Sequence, residues 1–282
     1  MLKGRLGIED PRIPQKSRHG LIYVERCRLS VENGSLIIMF EDQDEILELP
    51  YQRLNGVMLG PGSAITHDAV RHCSGHGTAL MFVGTQGTRL YSAPPIFDRD
   101  ADLARQQATY WASPTTKMII AKRMYHKRFG ETPRTNDADS LRGMEAARIK
   151  ASYTLIAKQV GISWDGRHFD RANPDLTDLP NQAINHAVTA LEACVGIAVQ
   201  ATATLPPLGF LHDDSAKSWV LDLCDLYRTT ITVPLAFRCV RQHQEAPEKD
   251  TLERRVRRAM AEHIRKSSLV DQMIDDIKEV LV

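Results

Sequence analysis

"APPIFDRDAD", residues 93–102, is where one hydrophobic period stops and another begins. Upstream, "LIYVERCRLSV" (21–31) and "SLIIMF" (35–40) flank the turn "ENG", and "EILELP", "LNGVMLG", "ALMFVG" and "TRLYSA" follow before residue 94. Short runs of β-branched, aliphatic and aromatic residues, punctuated by Gly, Asn and Pro, predict strands joined by turns. One short helix is expected at "THDAVRHCSG" (66–75). Downstream, apolar residues recur at the helical period over 100–113, 115–130, 137–161, 179–205, 217–228 and 251–268, each segment with plausible caps. The expected fold class is therefore α+β: a β-rich domain over residues 1–92, a Pro-containing linker over 93–98 and a larger all-α domain over 99–282. "ISWDGRHFDRANPDLTDLP" (162–180) is the one long polar interruption and is expected to be a loop over the helical core.

Composition sets outer limits. At 282 residues, 43% hydrophobic and 25% charged, the chain can bury a sizeable globular core. Cys27, Cys73, Cys194, Cys224 and Cys239 are scattered, odd in number and without a CxxC pair, which argues against a disulfide framework or a zinc ribbon and for a reducing cytoplasm. The longest apolar stretch, Ala187 to Leu205, is broken by Thr189, Glu192 and Gln200, so no membrane segment is expected. A net charge of +1 does not advertise a polyanion partner, so a nucleic-acid role has to rest on local clusters. No Walker-type phosphate loop is present, and nucleotide hydrolysis is not expected.

The densest chemistry lies in "GFLHDDSAKSWVLDLCDLYR", residues 209–228. On a helix Asp222 and Asp225 project from one face, flanked by Trp219, Val220, Leu221, Leu223, Cys224 and Leu226. A carboxylate in such surroundings must be protonated, paired with a base or bound to a cation, because alone and ionised it costs several kcal/mol, on the order of 3–5. Two readings stand open. His212 folds back to join the carboxylates around Mg²⁺ or Mn²⁺, equipment suited to phosphodiester chemistry; or Asp222 pairs with a base from another helix and His212 is an ordinary capping or surface residue.

"GFLH", nine residues and then "DLCD", read together with "LRGMEAARIKASYTLIAKQVGISWDGRHFD" (141–170) and "LGPGSAITHDAVRHC…GTALMFVGTQGTRLYS" (59–92), resembles the CRISPR-associated spacer-acquisition integrase and endonuclease family, CRISPR-associated protein number one, in its subtype I-E branch. The segments occur in the family's order, and "IRKSS" (264–268) extends the resemblance over nearly the whole chain. The resemblance implies a β-rich N-terminal domain used in homodimer formation and a helical catalytic domain. It implies a complex with the small adaptation partner, CRISPR-associated protein number two, acting on double-stranded prespacer DNA and CRISPR repeat DNA. The implied activity is metal-dependent DNA cleavage and strand transfer by a 3′-hydroxyl. Carried onto this chain, the family's Mg²⁺ or Mn²⁺ ligands fall on Glu145, His212 and Asp225, and Asp222 is an accessory catalytic carboxylate. Arg89 and Arg228 are implied DNA contacts, and the basic run Arg254, Arg255 and Arg258 offers phosphate contacts or a solvated face. Asp213 and Asp214 depart from the family's pattern; they add negative charge near the metal or, the favoured expectation, cap the following helix.

Other constellations have plainer readings. Without the resemblance, Glu145 between Arg142 and Arg148 reads as a surface ion pair. His67, His72, Cys73 and His76 match no common zinc spacing. Lys117, Lys122, Arg123, Lys127 and Arg128 lie on one predicted helix, as a solvated face or a phosphate-binding one. Two rival functions follow from the same residues: a metal phosphohydrolase of nucleotides, suggested by the doublet His212 and Asp213, and a non-catalytic DNA-binding scaffold.

Overall fold

The computed structural model describes residues 21–41, 46–94, 101–168 and 177–282. Contacts divide the chain into two units, Met1–Thr85 with Tyr91–Arg99 and Gln86–Leu90 with Asp100–Val282. The segment carrying Arg89 thus counts with the helical unit.

The β unit opens with β1 (Leu21–Val24) and β2 (Cys27–Glu32). The run "LIYVERCRLSV" is not one strand, because Arg26 takes a left-handed φ of 49° and breaks it. β2 and β3 (Ser35–Phe40) form a hairpin in register Cys27↔Phe40 to Glu32↔Ser35. Its two-residue turn is Asn33 and Gly34, both at positive φ, the conformation that matches strand twist and favours Asn-Gly. β4 (Ile46–Leu49) pairs antiparallel with β3, and the short β6 (Ala64–Ile65) pairs parallel with β2, giving the order β4-β3-β2-β6. A second sheet has the order β1-β5-β7-β8, with β5 (Gly56–Leu59), β7 (Ala79–Val83) and β8 (Leu90–Ser92). β1, β5 and β7 run parallel, and α1 (His67–His76) lies in the crossover from β5 to β7. Thr66 caps α1 by accepting from the Ala69 N–H, and Gly77 ends it at φ 67°. Cys27, Leu29, Leu36, Ile38, Val57 and Ala69 form the core between these layers.

The helical unit comprises α2 (Asp102–Trp111), α3 (Pro114–Phe129), α4 (Ala138–Val160), α5 (Leu179–Ala201), α6 (Ser218–Tyr227), α7 (Val233–Glu245), α8 (Leu252–Ser267) and α9 (Leu269–Leu281). α5 is long and apolar enough to cross a membrane by length and composition, yet it is the central helix here, packed by α6, α7, α8 and α9. Phe237 of α7 and Trp219 of α6 are fully buried. Burial of a side chain the size of Phe237 contributes about 1.5–3 kcal/mol. Asp137 and Asp178 cap α4 and α5, and Gly130 and Gly161 end α3 and α4 in the left-handed region. Arg228–Thr232 forms a π-helical turn joining α6 to α7. Pro234 explains it: the ring has no N–H and collides with the carbonyl four residues back, so the ladder widens at that point.

Candidate active site

Asp222 organises the loop before its own helix. Its side chain is fully buried, and both oxygens accept from the loop: Oδ2 from the N–H groups of Phe210 and Leu211, Oδ1 from the His212 N–H at 2.9 Å. Oδ1 also lies 2.7 Å from His212 Nδ1. The residue expected as an accessory catalytic carboxylate therefore has its acceptor capacity spent on holding the segment 210–212 and the imidazole. Fixing Nδ1 in this way leaves Nε2 as the ring nitrogen able to bind a ligand.

Two further contacts shape the loop. Gln107 of α2 is fully buried and bridges the turn, donating to the carbonyls of Leu205 and Leu208 and accepting from the Leu205 N–H. Gly209 is required by close approach, since a Cβ there would stand 2.3 Å from the His212 carbonyl oxygen and 2.7 Å from Ser218 Cβ.

Glu145 projects from α4 and Asp225 from α6, both buried. Glu145 does not pair with Arg142 or Arg148. Arg148 pairs with Glu131 at 2.5 Å, and Arg142 reaches Asp139, Asp213 and the Leu211 carbonyl. The partner of Glu145 is Arg128, at the end of α3, whose Nη1 donates to Glu145 Oε1 and lies 3.9 Å from Asp225 Oδ2. The Arg128 side chain is only 2% exposed, so it is no member of a solvated basic face. Arg228 lies 3.0 Å from Asp225 Oδ1, though without hydrogen-bond alignment. Burial pushes the Glu145 carboxyl above its ordinary pKa, and the Arg128 charge opposes that rise. His212 is raised above 6.5, chiefly by its bond to Asp222 and further by the charges of Asp225 and Glu145.

Glu145, His212 and Asp225 thus belong to one electrostatic neighbourhood formed by α3, α4, α6 and the loop before α6. Among the described residues, no three His, Cys, Asp or Glu side chains close into a metal-binding cluster. The donor set nevertheless suits a hard divalent cation: two carboxylates on separate helices, one imidazole oriented through its other nitrogen, and a buried Asp225 Oδ1 that receives no hydrogen bond. Asp213 and Asp214 were expected as caps, but α6 has Lys217 at its N-cap with no side-chain cap bond, and Asp213 instead pairs with Lys117 and Arg142.

Of the remaining predicted contacts, Arg89 is exposed in the loop before β8. Arg254 and Arg258 are exposed on α8 and share Asp250, whereas Arg255 donates to the Ala246 carbonyl. His72 and His76 of α1 meet each other and Tyr51 edge-on or tilted, as an aromatic cluster.

A small β unit followed by a helical unit, with buried acidic side chains from two helices and an imidazole from the adjoining loop in one electrostatic neighbourhood, defines a recognisable class of two-part α+β protein. The chain belongs to the family described as CRISPR associated protein Cas1, whose model matches residues 21–132 and 125–271. It is 34% identical over 269 residues to the CRISPR-associated endonuclease Cas1 1 of Rhodospirillum rubrum, covering 94% of this chain and 85% of that protein. It is 31% identical to CRISPR-associated endonuclease Cas1 of Escherichia coli K12, covering 95% of this chain and 87% of that one. The crystal structure of a TtCas1-DNA complex superposes with a TM-score of 0.85 at 31% identity, covering 96% of this chain and 99% of the other.

Proposed function

We propose that this chain is a metal-dependent DNA endonuclease and integrase of CRISPR adaptation, in the subtype I-E branch, working in the cytoplasm. The observation that carries the reading is that Glu145, His212 and Asp225 lie within one another's electrostatic reach, with both carboxylates buried and Asp225 Oδ1 accepting no aligned hydrogen bond although Arg228 lies 3.0 Å away. Relatives named CRISPR-associated endonucleases and a DNA-bound relative of the same fold support it.

Glu145, Asp225 and His212 Nε2 would hold Mg²⁺ or Mn²⁺, which supplies Lewis-acid polarisation of a phosphoryl oxygen and stabilisation of the leaving oxygen. Asp222 acts as a positioning residue, keeping Nε2 aimed and the loop 210–212 closed. Arg228 sets the orientation of Asp225 from one turn away. In the joining step a prespacer 3′-hydroxyl oxygen forms a new bond to phosphorus as the repeat's own 3′-oxygen bond breaks. The attacking hydroxyl loses its proton to water and the departing oxygen gains one, so one phosphodiester replaces another and no nucleotide is consumed. Exposed Arg89, Arg254 and Arg258 hold phosphates without reading bases. A homodimer joined to CRISPR-associated protein number two, bound to prespacer and CRISPR repeat DNA, is the working assembly in this proposal.

The test uses a supercoiled plasmid carrying leader and repeat, a labelled prespacer, the small partner, and Mn²⁺ or EDTA. Label is expected in the plasmid only with metal and only with the wild type. Asp225→Ala is expected to keep DNA affinity while joining falls by about a hundredfold or more. Retained joining by Asp225→Ala refutes the metal-ligand role, and binding without joining in both proteins favours the scaffold.

A further inference from the structure

Arg128 is the cation that reaches both Glu145 and Asp225, whereas Arg228 lies 3.0 Å from Asp225 Oδ1 on the other side of that carboxylate. It arrives from the last turn of α3, where the sequence places it among Lys117, Lys122, Arg123 and Lys127, whose partners are Asp213, Asn136, the Val280 carbonyl and Glu279. Its Nη1 touches Glu145 Oε1 and lies 3.9 Å from Asp225 Oδ2, so one guanidinium nitrogen serves both carboxylates. The rest of the group is poorly satisfied: Nε and Nη2 are buried and have no hydrogen-bond partner. A structural arginine bridging two acids normally uses its planar fork, with two parallel bonds to one carboxylate. Arg128 makes a single-nitrogen contact and leaves two donors idle. That geometry gives charge compensation with little directional bonding.

A divalent ion held by the same two carboxylates needs the space that Nη1 fills. Two cations so close, between buried side chains, repel strongly. We infer that Arg128 is a resident counter-cation that holds Glu145 and Asp225 together in the metal-free protein and must withdraw when a divalent ion enters. The inference rests on the metal reading given above and extends it to the metal-free state. A doubly charged ion replaces the loss of one arginine contact with two carboxylate bonds and the His212 nitrogen. A monovalent ion lacks that advantage, so the arrangement selects against Na⁺ and K⁺. The apparent metal affinity is reduced by the fraction of molecules in which Arg128 has swung clear.

The experiment is Mn²⁺ calorimetry on the full-length protein without DNA, comparing wild type, Arg128→Met, which keeps length and removes charge, and His212→Ala. Thermal unfolding is recorded with and without Mn²⁺. Arg128→Met is expected to bind Mn²⁺ about tenfold more tightly than wild type. Its unfolding temperature is expected below wild type without metal and to rise more when Mn²⁺ is added. Equal or weaker Mn²⁺ binding by a folded Arg128→Met overturns the inference and leaves the metal site standing. No Mn²⁺ binding by either wild type or Arg128→Met, or wild-type binding that His212→Ala leaves unchanged, overturns the metal reading and the inference with it. If Arg128→Met does not fold, Arg128→Lys is judged on the same scale, because its shorter single ammonium reaches Asp225 less well: tighter binding than wild type supports the inference, and equal or weaker binding overturns it.

Discussion

Replacing Asp222 by Asn exchanges one oxygen for an NH₂ group and disturbs four donors. The Phe210, Leu211 and His212 N–H groups and the His212 ring nitrogen all converge on its two oxygens, two donors to each. An asparagine presents one oxygen and one NH₂ group, so either rotamer sets a donor against two donors. Two charge-assisted bonds are lost, at about 1.5–3 kcal/mol each, giving roughly 3–6 kcal/mol before the loop relaxes. Asp222 is fully buried, so water offers little replacement. A loss of about 3 kcal/mol corresponds to a melting point lowered by roughly 6–12 °C for a unit of this size. The assay is calorimetric unfolding of wild type and Asp222→Asn without metal, with urea unfolding followed by tryptophan fluorescence as a check on two-state behaviour. A melting point within about 2 °C of wild type refutes the view that this carboxylate is the keystone of the loop.

Two other expectations come from the same geometry. The His212 pKa is raised by Asp222, so protonated His212 stabilises the metal-free fold fully below the unfolded value of 6.5, and that contribution fades as pH rises through the higher folded value. The stability difference between wild type and His212→Gln, measured from acid to alkaline pH, should shrink with rising pH, and a constant difference counts against the bond. Gly209→Ala places a Cβ 2.3 Å from the His212 carbonyl oxygen. It is expected to cost about 1–3 kcal/mol in urea unfolding, and an unchanged midpoint would show that the loop gives way easily.

The change of period at residue 93 made the order of strands and helices legible, and the acid spacing in 209–228 made Asp222 and Asp225 stand out. Other parts depended on tertiary contacts. α7 escaped notice because "RTTITVP" supplies β-branched residues and a proline, the signs of a break, where the chain continues through a π turn. α9 begins directly after Ser268, whose φ of 49° reverses the chain without the glycine that usually announces such a stop. Arg128 looks like its basic neighbours in sequence, and only the position of α3 relative to α4 and α6 turns it inward. Gln107 gave no signal at all, since its partners are the main-chain groups of Leu205 and Leu208, about a hundred residues away. Asp213 was read as a cap from local spacing, and Lys117 and Arg142 claimed it from other helices.

The π turn at Arg228–Thr232 also makes residue count a matter of rotational phase. A π turn takes in one residue more than an α turn for nearly the same rotation, so the helices on either side of it keep their phase. Removing one residue within Arg228–Thr232 would close the ladder with Phe237 and Val240 still facing inward. Removing one from the regular turns beyond it would instead rotate every later position by about 100° toward different neighbours. The turn is the one place on this rod with slack to lose.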